Sequence, residues 1–190
     1  HAGKEMLNWI DGFTKRKEIL PLPKPTIDYS IRIFSSPEEL DEAICKLADK
    51  EESSLSRLIA TYDWEYNEKT NPTERLSKYW EVLINGWHKP WNRELESELS
   101  PKQKRQNKKL AWAEQKQTIG EVGSTFTIQG FDLNYAGVIL GPSVKYKNGR
   151  IVFDPESSCN TKAVRKRTLS DGTKKKFGEE LLRHEVRVLM

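Results

Sequence analysis

Gly123-Ser-Thr-Phe-Thr-Ile-Gln-Gly-Phe-Asp-Leu-Asn-Tyr-Ala-Gly-Val-Ile-Leu-Gly141 is the stretch on which the reading of this chain turns. The hydroxyl residues Ser124, Thr125 and Thr127 come first, then Gln129-Gly130, then the acid Asp132, and an apolar run over 136–140 closes at Gly141. That order predicts a polar, ligand-facing loop leading into a buried strand, unlike a packing helix. Gly130 has no Cβ to hold a phosphate away from its backbone N–H, and the three hydroxyls suit phosphate or sugar oxygens. The same residues also describe a tight turn before a core strand, and local chemistry alone leaves both readings open.

Outward from this stretch, residues 55–62 are rich in Leu, Ile and Ala and read as a second buried strand. Before it, Ser35 and Ser36 precede Pro37 with Glu38 and Glu39 in the first turn, the pattern of a helix start, and the helix is expected to run to about residue 49. Ile31-Arg-Ile-Phe34 alternates like a short strand. The strand, helix, strand order predicts an α/β fold with a parallel sheet flanked by helices. Met6, Leu7, Trp9, Ile10 and Phe13 form a helical face ahead of the Pro21-Leu-Pro-Lys-Pro25 connector, and Leu181, Leu182, Val186 and Leu189 mark a closing helix over 177–190.

Residues 66–118 read as an insertion. Trp80, Trp87, Trp91 and Trp112 stand there among Asn, Pro, Lys and Glu, either packing a core-poor excursion or offering a base-stacking platform. Residues 143–176 read as a β-hairpin followed by a basic loop: Asn148-Gly149 lies between apolar arms, while 157–176 is polar, basic and expected to be mobile. The whole of 1–190 is expected to form one domain.

The formal net charge is +4, but it is unevenly spread. Lys102, Lys104, Arg105, Lys108 and Lys109 form one basic run; Lys162, Arg165, Lys166, Arg167, Lys174, Lys175 and Lys176 form another. Such clusters either neutralise nucleic-acid phosphates or are simply solvated faces. Of these, Lys162, Arg165, Lys166 and Arg167, with Ser124 and Thr125, are the candidate nucleic-acid contacts. Cys45 and Cys159 are far apart, and His1, His88 and His184 are isolated, so neither metal binding nor a catalytic triad has sequence support, and no catalytic or metal-binding residue is assigned. No run approaches the ~20 apolar residues that a membrane-spanning helix needs. A soluble, cytoplasmic chain is the expectation, and the start at His1 rather than Met reads as a tag remnant or, preferably, an excised fragment.

The stretch 124–141 resembles motif V of the superfamily 1 helicases: a hydroxyl residue, then His or Asp, then Gln/Lys-Gly-x-Glu, then an apolar strand. Thr127 to Pro142, Lys145-Tyr-Lys-Asn-Gly-Arg-Ile-Val-Phe-Asp-Pro155, Arg57-Leu-Ile-Ala-Thr-Tyr-Asp-Trp64, Pro90-Trp-Asn92 and the terminal Arg187-Val-Leu resemble, more closely, the Schlafen-like helicase domain family. Phe126 departs from the general motif. The resemblance covers most of the chain and implies a RecA-like second motor domain of a P-loop NTPase, closing over ATP and Mg held by an N-terminal phosphate-loop domain that is not part of this sequence. It puts Gln129 and the Gly130 backbone near the γ-phosphate, Asp132 near the nucleotide and Ser124 against a nucleic-acid phosphate.

The resemblance also places an arginine finger two residues beyond Met190, in a Thr-Arg-Gly that would continue the last helix, with Arg183 and Arg187 read as structural or surface residues. No Gly-x-x-x-x-Gly-Lys-Ser/Thr loop occurs in the chain. The expectation is therefore a nucleic-acid-dependent ATPase domain that is silent by itself. The partners expected are DNA or RNA and the first motor domain of the same polypeptide, with no membrane. A non-enzymatic nucleic-acid-binding or protein-interaction module on the same scaffold is the alternative.

Overall fold

The computed structural model describes residues 3–50, 55–70, 72 and 77–190. Its centre is a three-stranded parallel sheet in the order β4 (Val122–Gly123), β1 (Ser56–Ala60), β5 (Tyr135–Ile139). Leu58 and Ile59 of β1 register against Val122 and Gly123 on one side and against Gly137 and Val138 on the other. Every residue of β1 is buried, as expected for a strand with neighbours on both edges and cover on both faces. Parallel strands need crossovers, and the chain makes the one between β4 and β5 through a single helical turn, α4 (Thr125–Ile128).

Successive residues of β1 point to opposite faces, and two cores follow from that alternation. On one face Leu58 and Ala60 join Ile44, Val82, Trp91, Val122 and Ile139. On the other, Ile59 joins Trp112, Ala113, Ile128 and Leu189. The first is closed by α2 (Pro37–Lys50), which begins at the Pro37 expected from the sequence. This helix sits so close to the sheet that a Cβ at Gly137 would lie 2.7 Å from Ile44 Cγ1 and 2.6 Å from Leu58 Cδ2. Only glycine lets the two layers meet at that distance.

Residues 31–34 form no strand. Ile33 is largely exposed, so the alternating face of this segment is not buried against the sheet. The tryptophan-rich stretch, by contrast, is structured around its rings. It contains the hairpin β2 (Glu81–Ile84) and β3 (Trp87–Pro90), whose turn residues Asn85 and Gly86 both have positive φ, at 47° and 93°. Two such residues are what a tight two-residue hairpin turn requires. Trp91, directly after β3, is fully buried in the first core, and Trp112 is buried in the second. Both rings pack; neither is a platform for bases. The helix α3 (Pro101–Asn107) follows, started by a capping box in which Ser100 and Gln103 bond reciprocally.

The third core unites the C-terminal half with the N-terminus. The hairpin β6 (Val144–Lys147) and β7 (Arg150–Phe153) turns at Asn148-Gly149 as expected, again with positive φ at both residues. Its inward residues Ile151 and Phe153 pack with Leu182 and Val186 of α6 (Gly178–Leu189) and with Phe13. Phe13 follows α1 (Lys4–Asp11), in a π-helical turn over Gly12–Arg16. The segment 157–176 carries regular structure: α5 (Thr161–Val164) and the short antiparallel ribbon β8 (Lys166–Thr168) and β9 (Lys174–Lys176). Among the described residues no helix is long and apolar enough to cross a membrane.

Candidate functional site

Ser124 ends β4 and starts α4. Its Oγ accepts from the Phe126 N–H at 3.3 Å and donates to Asn92 Oδ1 at 2.7 Å, while its own N–H donates to Thr127 Oγ1 at 2.9 Å. The side chain is fully buried. Two of the hydroxyls read from sequence as ligand groups, Ser124 and Thr127, therefore cap a helix turn, and the expected loop contains that turn. Thr125, next along, is half-buried.

Beyond α4 the chain alternates in and out. Ile128 is buried, Phe131 and Leu133 pack on the second core, and Gln129, Gly130 and Asp132 are exposed between them. Gly130 has φ +78°, and nothing lies within 4 Å of where a Cβ would stand. The requirement for glycine here is conformational, with open space in front of its backbone. The tip is held at both ends: the Phe131 N–H donates to the Ile128 carbonyl at 3.0 Å, and Asn134 exchanges two bonds with Leu55, its N–H to the Leu55 carbonyl and its Oδ1 from the Leu55 N–H. Polar groups on a firmly anchored tip can meet a ligand with little reorganisation.

Gln129, Gly130 and Asp132 thus share one exposed turn, with Thr125 and the buried Ser124 at its root. Lys162, Arg165, Lys166 and Arg167 lie elsewhere, on α5 and at the start of the β8–β9 ribbon, and all four are exposed. Helix α6 touches both α4 and α5, so one element connects the two groups. In the ribbon Lys166 faces Lys176, Arg167 faces Lys175 and Thr168 faces Lys174. Like charges set opposite one another destabilise a ribbon, and a polyanion would relieve that.

A second polar group at the carboxyl ends of β1 and β5 escaped the sequence reading. Thr61 Oγ1 donates to Asp63 Oδ2 and accepts from the Gly141 N–H, and the Ser143 N–H donates to the same Asp63 oxygen at 2.9 Å. These bonds fix the turn after β5 onto the end of β1. Glu185, buried on α6, accepts from the Tyr62 N–H at 2.8 Å. Burial pushes its carboxyl up to about 7, with the Asp63 charge adding to the rise and the Tyr62 N–H working against it. Tyr62 also stacks edge-on against the exposed Phe126, with ring centroids 5.5 Å apart. A lone Glu in an amphipathic helix gives no local sign that it will be buried; pairing depends on which strand end the helix meets.

With this geometry in hand, the family whose sequence model matches is described as the Schlafen group 3 DNA/RNA helicase domain, and the match extends over residues 1–190. An uncharacterized protein of Saccharomyces cerevisiae is 34% identical over 171 residues, covering 82% of this chain and 33% of the yeast protein. The chain thus spans about a third of the length of that curated relative. No solved structure matches it.

Proposed function

The chain belongs to the Schlafen group 3 DNA/RNA helicase domain family, and from that premise we propose that it serves as the second motor domain of a nucleic-acid-dependent, helicase-like ATPase. The parallel sheet with helices on both faces supports this reading. The observation that carries it is the tip formed by Gln129, Gly130 and Asp132: an exposed glycine at positive φ with open space before it, flanked by an amide and a carboxylate.

These groups fit a nucleotide. The Gly130 N–H and the Gln129 side-chain amide are donors suited to a terminal phosphate, and the Asp132 carboxylate is an acceptor suited to a sugar hydroxyl. ATP, with the Mg2+ it carries, would supply the phosphoryl group and the neutralising charge for its transfer. The residues of this chain then orient that phosphate and sense its loss. Ser124 works from behind: locked to Asn92 and to the Phe126 N–H, it sets the angle at which α4 delivers the tip. Thr125 and the exposed cations Lys162, Arg165, Lys166 and Arg167 contact the phosphates of a DNA or RNA strand, and closure over nucleotide moves that strand relative to the other motor domain.

The test is hydrolysis of ATP by the full-length polypeptide containing this chain, with and without a single-stranded oligonucleotide. Stimulation by the oligonucleotide that falls at least tenfold in Gln129→Ala, with oligonucleotide affinity retained, is the expected result. Absence of any stimulated hydrolysis in the unmutated protein overturns the proposal.

A further inference from the structure

Between the π-helical turn Gly12–Arg16 and α6 lies a cleft of about 320 Å3, lined by Thr14, Lys15, Arg183, His184 and Arg187. Three of these five carry fixed positive charge at neutral pH. The acid that reaches them is Asp11, which pairs with Lys15 at 2.8 Å and also with Arg187. One carboxylate is thus divided between two cations. The Arg183 side chain, on α6, makes no hydrogen bond or ion pair among the described residues. The cleft therefore keeps an excess of positive charge that the protein does not itself neutralise.

Its walls come from sequence segments some 170 residues apart, so the clustering is tertiary. Arg183 and Arg187 are four residues apart on α6 and share a face. Favourable interaction with the carbonyl end of the helix explains a cation in the last turn, such as Arg187. It does not explain Lys15, which belongs to another element and lines the same cleft. That element is a π-helical turn, a rare geometry that is frequent at functional sites. Here it buries Thr14, whose Oγ1 donates to the Ile10 carbonyl at 2.7 Å, and leaves the neighbouring Lys15 exposed.

We propose that this cleft binds a phosphate group, with Arg183 and Lys15 as its two cationic arms and Arg187 positioned by Asp11. Guanidinium groups match phosphate oxygens in paired hydrogen bonds, and an ammonium adds a compact charge. None of the residues lining the cleft belongs to the tip at 129–132 or to the basic ribbon. The phosphate belongs either to a free nucleotide or to the backbone of a single strand, and one pair of probes separates the two sources.

Binding of sodium tripolyphosphate is measured by calorimetry, and binding of a fluorescein-labelled single-stranded RNA of about 20 nucleotides by anisotropy, both at low salt with the 190-residue chain. Arg183→Ala and Lys15→Ala are each expected to weaken at least one probe about five- to tenfold. Lys104→Ala, on α3, should change either by less than about twofold. Loss confined to RNA assigns the phosphate to a strand; loss with tripolyphosphate assigns it to a nucleotide. Arg183→Lys, which keeps the charge, should recover part of the loss. The proposal is overturned if neither probe binds, or if both bind Arg183→Ala and Lys15→Ala as tightly as the unmutated chain.

Discussion

Glu185 Oε1 accepts a 2.8 Å hydrogen bond from the Tyr62 backbone N–H, joining the C-terminal helix to the chain just past the central strand. Its other oxygen, Glu185 Oε2, is buried without a hydrogen-bond partner among the described residues, as are Asp63 Oδ1 and Ser143 Oγ nearby. An unsatisfied buried oxygen costs about 1–3 kcal/mol. A carboxyl group in this position is therefore more stable holding its proton, which removes the charge that burial penalises.

Stability should accordingly fall as pH rises through this titration. Below the ordinary value of 4.5 the carboxyl is protonated in both folded and unfolded chains, so it contributes no pH dependence. Between 4.5 and about 7 the unfolded chain ionises while the folded one stays protonated, and folding loses ground with each step in pH. Above about 7 the full penalty is in place. Urea unfolding at about pH 5 and pH 8 should show the unmutated chain losing on the order of 2–3 kcal/mol relative to Glu185→Gln across that interval. Parallel pH profiles for the two proteins would remove Glu185 as the source.

Trp91 offers a comparison of volume against polarity. It is fully buried, stacks at a tilt on Tyr62 with centroids 5.5 Å apart, and its indole N–H has no partner among the described residues. Trp91→Ala should cost about 3–5 kcal/mol by emptying the first core. Trp91→Phe keeps most of the packing and removes the orphaned donor, and a cost below about 2 kcal/mol is expected. Equal losses in thermal denaturation would show that the nitrogen, not the ring volume, matters.

Gly137→Ala tests the contact between helix and sheet. The new methyl would stand 2.6–2.7 Å from Leu58 and Ile44 side-chain atoms, and since a well-packed core yields little, a loss of about 1–3 kcal/mol is expected. Combining it with Ile44→Ala, which removes both the Cγ1 at 2.7 Å and the Cδ1 at 3.3 Å, should cost less than the two single losses added together. A double variant no more stable than additivity predicts would mean the crowding is relieved by backbone shift instead.

Nucleic-acid affinity, on the proposed function, should depend on salt through the exposed cations. Replacing Lys162, Arg165, Lys166 and Arg167 by Ala, one at a time, should lower affinity for all sequences alike and reduce the slope of log affinity against log salt by roughly 0.7 per lost contact on a single strand. An unchanged slope in every variant would exclude these residues from the interface.

The β-rich landmarks of this chain were legible in one dimension because each depends on neighbours in sequence. The strands at 56–60 and 135–139 are apolar runs bounded by breakers, helix 37–50 starts at a Ser-Ser-Pro signal, and the turn at Asn148-Gly149 needs only two residues tolerant of positive φ. The family resemblance was legible for the same reason, since Thr127 to Pro142 is contiguous. Asn85-Gly86 carried the same turn signal, hidden among polar residues and tryptophans. What the order of residues could not reveal is which groups turn inward. Residues 31–34 had strand periodicity but do not bury their alternating face, and Ser124 had ligand chemistry but a buried partner in Asn92. The cleft between Lys15 and Arg183, and the bond from Tyr62 to Glu185, join residues more than 120 positions apart. Hydrogen bonding and charge act over a few ångströms of space, so only the folded chain, by choosing its neighbours, decides what those groups do.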